Sequence, residues 1–151
     1  MNITARDLMA TNLLTFTPDQ NIHDAIDQLL SRGVSGGPVL ENGQLVGILS
    51  EKDCLNLVVQ GAAHQRPVGD TVGSFMKRSV ITIRPDADLL TISGLFLGKP
   101  FRRLPVVDDR GRVVGQVSRR DVLKGIRKAQ SITPSFPDYR GYRQRWASAR
   151  A

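Results

Sequence analysis

One cysteine, two histidines and one tryptophan are all that the 151 residues hold of those types. A lone Cys54 excludes an internal disulfide and fits a reducing compartment. Its place on a part-buried helix reads as packing rather than as a reactive thiol. His23 and His64 stand apart, one in a helical pattern and one in a linker, so neither a metal nor an acid–base role is expected of them. The sequence has no phosphate-binding P-loop and no dinucleotide glycine fingerprint. No apolar run approaches the roughly 20 residues that span a bilayer. Met1–Ala10 lacks the basic start and apolar run of a secretion leader. These absences leave no catalytic constellation and no catalytic cofactor in view, and they fit a non-enzymatic, cytoplasmic protein with no membrane span.

Aromatics are scarce, 5% of the chain, and half of them (Phe136, Tyr139, Tyr142 and Trp146) crowd into the C-terminal stretch. Charge is just as uneven. The net charge is +7, of which residues 127–151 supply +5. The basic character therefore belongs to the tail and says little about the body. Hydrophobic residues make up 40% of the chain, enough for a real core.

What the sequence has instead is a repeat. Shifted by 67 positions, the chain lies on itself: Met9 meets Met76, Thr15 meets Thr82, Pro18-Asp19 meets Pro85-Asp86, and Pro38-Val39 meets Pro105-Val106. One residue is then added in a turn, where length is tolerated. Beyond it the offset is 68, and "GILSEKD" (Gly47–Asp53) meets "GQVSRRD" (Gly115–Asp121).

Each copy reads as strand, helix, strand, strand, helix. Leu13–Thr17 and Val80–Arg84 form the first extended pieces. Ile22, Ala25, Ile26, Leu29 and Leu30 mark one apolar stripe on a helix over Ile22–Arg32, with Gly33 as its stop. Leu89, Ile92, Phe96 and Leu97 repeat the stripe and Gly98 the stop. Gly94 inside that helix weakens it by about 1 kcal/mol relative to alanine. Asn42-Gly43 between apolar runs is a hairpin signal, repeated around Asp109-Arg110-Gly111. Second helices are expected over Glu51–Gln60 and Arg119–Lys128. Neither copy is large enough to be comfortable alone, so the two are expected to pack together. The division is repeat 1 over 3–60, a linker over 61–70, repeat 2 over 71–128, and a basic aromatic tail over 129–151.

The twice-written serine and aspartate have two readings. Ser-x-x-Asp ahead of an apolar run is a helix capping box, which needs no ligand. A helix start also presents free N–H groups to an anion. A glycine at a strand end lets another group approach closely, and an aspartate there can accept from both hydroxyls of a ribose.

The pattern "GILSEKD…GQVSRRD", preceded by "VSGGPV" and "FRRLPVV", resembles a tandem pair of cystathionine β-synthase (CBS) domains, the Bateman module, over roughly residues 3–127. The resemblance implies an α/β (α+β) fold of two repeats packed sheet to sheet about a pseudo-twofold axis. It also implies two clefts for adenosine-containing ligands such as AMP, ADP, ATP, S-adenosylmethionine or NAD, bound as regulatory ligands. The clefts cross the repeats. One would use Thr15, Val34, Ser35 and Pro38 with Ser118, Arg120 and Asp121. The other would use Thr82, Phe101, Arg102 and Pro105 with Ser50, Lys52 and Asp53. Arg102, Arg103, Arg119, Arg120 and Lys52 would meet phosphates by charge, against the alternative of an ordinary solvated surface. The two clefts should not be equivalent, because "VSGGP" offers no cation where "FRRLP" offers an aromatic and two arginines. "GKPF" departs from the more polar residues usual there in the family.

The expected protein is thus a stand-alone nucleotide-sensing module that regulates an unknown separate protein. It should be a homodimer pairing its exposed helices through Val58, Val59 and Ile126. A ligand-free interaction scaffold is the alternative. Nucleic-acid binding through the tail, by arginine mixed with stacking aromatics, is the weakest one; packing of the tail on protein is favoured over it.

Overall fold

The computed structural model describes residues 2–64 and 69–132. Linker positions 65–68 and tail positions 133–151 lie outside the described residues, so the readings of the tail's aromatics and arginines fall there. The first copy runs through α1 (Ala5–Leu8), α2 (Ile22–Arg32), β1 (Gly36–Glu41), β2 (Gln44–Ser50), α3 (Glu51–Cys54) and α4 (Asn56–His64). The second runs through α5 (Val72–Phe75), α6 (Leu89–Gly98), β3 (Arg103–Val107), β4 (Val113–Ser118) and α7 (Arg119–Ile132). The fold is α/β, with two separate antiparallel two-stranded sheets, β1–β2 and β3–β4.

Helix α2 has the bounds its pattern predicts. Asn21 caps it by accepting from the N–H groups of His23 and Asp24 (2.8 and 3.4 Å), and it ends at Gly33 with φ 62°. In α6 the expected stop moves: Gly98 is still helical, and the chain turns extended at Lys99 (φ −141°, ψ 151°). Pro100 is the reason, since a residue before proline is pushed out of the helical region. Asp88 caps the other end, accepting from the Thr91 N–H (2.8 Å). The apolar stripes are narrower than expected. Ile22, Ala25 and Leu29 are buried, but Leu30 is 75% exposed and its repeat partner Leu97 83% exposed.

The expected first strands shrink to single parallel bridges, Phe16 to Val39 and Ile83 to Val106. Phe16 N–H donates to the Pro38 carbonyl (3.0 Å), and Ile83 N–H donates to the Pro105 carbonyl (3.0 Å). At the first hairpin tip Glu41 pairs with Gln44. Asn42 and Gly43 take φ of 53° and 77°, the left-handed pair that a two-residue hairpin loop needs. The second expected helix of copy one tightens at Leu55, whose N–H reaches back to the Lys52 carbonyl (3.2 Å). It then resumes as α4 into the expected linker, as far as His64. Its counterpart α7 is continuous and passes the expected end at Lys128.

Two compact units emerge, and they are not the two repeats. One contains Met1–Thr11, Thr82–Asp108 and Val114 onward; the other contains Asn12–Ile81 with Asp109–Val113. Each repeat's hairpin and long helices are thus joined by the other repeat's leading segment. Ala10 exchanges N–H···O bonds with Gln116 (2.9 and 3.0 Å), and Lys77 exchanges them with Ile48 (both 2.9 Å). The core of the first unit gathers Ala5, Ile83, Ile92, Leu104, Val106, Val117 and Val122. That of the second gathers Phe16, Ile22, Ala25, Leu29, Val39, Leu49, Val72, Phe75 and Met76. At about 1.5–3 kcal/mol for each large apolar side chain fully buried, these clusters dominate each unit's stability.

Candidate functional site

Strand β2 delivers Ser50 in extended conformation at the start of α3 (φ −121°, ψ 163°). The Ser50 N–H and hydroxyl both donate to Asp53 Oδ2 (2.9 Å each), and Asp53 N–H donates back to Ser50 Oγ (3.2 Å). In the other unit Ser118 and Asp121 repeat the arrangement at the same three distances. The capping box is therefore realised twice, each time with one carboxylate oxygen fully engaged and the other turned elsewhere.

The glycine of each heptad has a definite neighbour. A Cβ at Gly47 would stand 2.7 Å from Met76 Sδ and 2.8 Å from the Lys77 carbonyl oxygen. A Cβ at Gly115 would stand 2.5 Å from Met9 Sδ and 3.0 Å from the Ala10 carbonyl oxygen. The close approach read from the sequence is real, but protein makes it: each glycine admits the leading methionine of the other copy. The twin identities Met9/Met76 and Gly47/Gly115 were the signal for this contact, which reading each copy alone does not find.

The two aspartates then part. Asp53 is only 3% exposed, the one buried charged residue among those described. Lys77 Nζ stands 3.9 Å from its Oδ1. Asp121 is half-buried, and Ala10 stands at the repeat position of Lys77. Lys77 was not anticipated as a partner of the heptad; its place next to Met76 was the available hint.

The other expected site residues fall as follows. Thr15, Val34, Ser35, Ser50, Lys52 and Asp53 belong to one unit, and Thr82, Phe101, Arg102, Ser118, Arg120 and Asp121 to the other. Within its unit Ser35 is brought beside the heptad, its carbonyl accepting from Glu51 N–H (2.9 Å). Phe101 is brought there too: its carbonyl accepts from Arg119 Nε and Nη2 (3.1 and 2.8 Å). That clamp engages Arg119, which the sequence offered to phosphates. Thr15, Val34, Lys52, Thr82, Arg102 and Arg120 are exposed, whereas Ser35, Ser50, Phe101 and Ser118 are half-buried. Pro38 and Pro105 are fully buried; their rings are core, because their strands turn those positions inward against the first-strand bridges.

Cys54 is half-buried, and burial together with the neighbouring Asp53 and Glu51 carboxylates pushes its thiol up from 9.0. It stays protonated at neutral pH, as packing requires and a nucleophile does not. Among the described residues no group of three or more histidine, cysteine, aspartate or glutamate side chains is placed to hold a metal ion. No helix there is long and apolar enough to cross a membrane.

The CBS domain family profile matches residues 5–60 and 72–128. The CBS domain-containing protein YhcV of Bacillus subtilis is 32% identical over 120 residues, covering 79% of this chain and 82% of that protein. The crystal structure of CBSX2 in complex with AMP, a protein of Arabidopsis thaliana, aligns with TM-score 0.77 at 31% identity, over 84% of this chain and 98% of that one. The CBS domain pair of protein MJ0100, in complex with 5'-methylthioadenosine and S-adenosyl-L-methionine, aligns with TM-score 0.71 at 25% identity, over 82% of this chain and 99% of that one. The chain spans 47% and 43% of the length of two other relatives, both from Methanocaldococcus jannaschii.

Proposed function

The chain belongs to the CBS-domain family, and from that premise we propose that it is a regulatory module that senses an adenosine-containing ligand and acts on a separate partner protein. The observation that carries this reading is the asymmetry of the two heptads. Asp121 Oδ2 is held by Ser118 while the rest of the carboxylate is half-open, which suits the two hydroxyls of a ribose. Asp53 has the same cap but is buried and faces Lys77 at 3.9 Å. The primary site is thus the one built on Ser118, Arg120 and Asp121, and the heptad of Ser50, Lys52 and Asp53 is secondary. AMP is the first candidate, supported by the complex of CBSX2, and S-adenosylmethionine is the second, supported by that of MJ0100.

We also propose a homodimer. Its support is a set of large apolar side chains left outside: Leu30, Leu97, Leu55, Leu123, Val58 and Val59, each 63% exposed or more. Ile126 leaves the set expected from the sequence, since it packs against its unit's own core.

Isothermal titration with AMP, ADP, ATP and S-adenosylmethionine tests the reading. Hydrogen bonds to a charged group are worth about 1.5–3 kcal/mol, so Asp121→Ala should weaken the bound ligand about 10- to 150-fold. Asp53→Ala should lower thermal stability and leave that affinity intact. No binding by any of the four compounds would overturn the proposal in favour of an interaction scaffold.

A further inference from the structure

Helices α1 and α7 enclose an open cavity of about 510 Å³ within one unit, inside the range of small-molecule sites. Its apolar wall is Ile3, Leu8 and Met9, and on α7 it reaches Asp121, Lys124, Gly125 and Lys128. The cavity has a cause in the sequence. At the repeat positions of Leu8 and Gly125 the other unit carries Phe75 and Leu57, and both belong to or pack against its core. Gly125 leaves out a side chain at that point, and the end of Leu8 leans over it.

The charges lining the cavity balance and fall into two neighbouring pairs. Asp7, at the rim, takes Thr4 N–H and hydroxyl on Oδ2 (2.9 and 3.1 Å), and the Lys128 charge acts on it. Asp121 and Lys124 lie three residues apart on α7, hence on one helix face. Among the described residues Asp121 Oδ1 has no partner, and neither does the Lys124 ammonium. A simple anion at this place would gain a lysine and meet a carboxylate, and a simple cation would do the reverse. A zwitterion with an aliphatic arm satisfies both charges and lays its arm on Ile3, Leu8 and Met9. We propose that this cavity is a second ligand site, for a small aliphatic α-amino acid, in the unit that carries Gly125. It shares Asp121 with the nucleotide site proposed above, but Lys124 and Gly125 belong to it alone.

Titration of the full chain with leucine, followed by amide and methyl NMR shifts, tests this. Saturable shifts are expected at Ile3, Leu8, Met9 and Gly125. Isoamylamine and 4-methylpentanoate, which keep the arm and one charge each, should bind about tenfold or more weakly. Lys124→Asn, the residue of the other unit, should cost leucine about tenfold and leave AMP affinity unchanged, which separates this site from the nucleotide site. Gly125→Leu should abolish the leucine shifts while the spectrum stays dispersed; if that variant does not fold, Lys124→Asn decides alone. Shifts centred elsewhere, equal binding of the singly charged analogues, or indifference to Lys124→Asn would each overturn the proposal.

Discussion

The two units share a cap with matching distances, a glycine admitting a methionine, and a hairpin beside a helix, yet they differ in what surrounds the cap. In one, Asp53 is 3% exposed with Lys77 Nζ 3.9 Å from its Oδ1, and Phe75 and Leu57 belong to or pack against the core. In the other, Ala10, Leu8 and Gly125 occupy those three positions, Asp121 is half-buried, and a cavity opens. A duplicated scaffold has kept its helix caps in both copies and its open carboxylate in one. The cap and the exposure of its carboxylate are therefore separable properties of one short motif.

The largest test of this comparison is in the cores. Leu49 and Val117 are repeat partners, both with no exposed surface. Leu49→Ala should cost about 2–5 kcal/mol of unfolding free energy, read by urea denaturation. Val117→Ala removes one carbon fewer and should cost less. An equal cost would mean that the two units do not pack their hairpins alike.

Next come the glycines. Gly47→Ala sets a Cβ against the Lys77 carbonyl oxygen (2.8 Å), which is backbone, while Gly115→Ala chiefly meets the movable Met9 sulfur (2.5 Å). Overpacking of this kind costs about 1–3 kcal/mol, and Gly47→Ala should stand at the upper end. Thermal melts of the two variants side by side would reveal the order.

A smaller effect is expected at Lys77. Its side chain is 66% exposed, so Lys77→Ala should lower stability by no more than about 1 kcal/mol, and by less at high salt. Melting at two ionic strengths reads this directly, and a loss insensitive to salt would assign Lys77 a packing role instead.

The smallest difference is in pH. Thr4 N–H and, after it, the Thr4 hydroxyl hold the Asp7 carboxyl below its usual 3.8. A value lowered on folding adds stability that is fully present above 3.8 and is lost as pH falls through the lowered folded value. The repeat partner of Asp7 is Ser74, which meets Thr71 hydroxyl to hydroxyl (3.0 Å) and carries no charge. Asp7→Asn should therefore lower the melting temperature at neutral pH and match the parent protein in strong acid, whereas Ser74→Ala should show no such convergence.

Much of this was legible before any coordinates. The offset of 67 then 68 located both copies and the turn that takes the extra residue. The apolar spacing from Ile22 and the stop at Gly33 bounded α2, because periodicity and a glycine stop are local, while its cap Asn21 went unread. Leu30 and Leu97 were misplaced for the same reason: a stripe records which residues share a face, not how far the neighbouring element extends over it. The exchange of leading segments was hidden because Met76 and Gly47, or Met9 and Gly115, meet only once the chain has returned on itself.

By itself the sequence determined the duplication, the hairpins, the helix starts and the serine–aspartate caps, since each depends on residues a few positions apart and on backbone hydrogen bonds they make among themselves. Only the tertiary structure decided which aspartate is closed and which is open. The repeat positions around the two caps differ, Lys77 against Ala10, Phe75 against Leu8 and Leu57 against Gly125, and burial depends on side chains that distant parts of the chain bring to the same place.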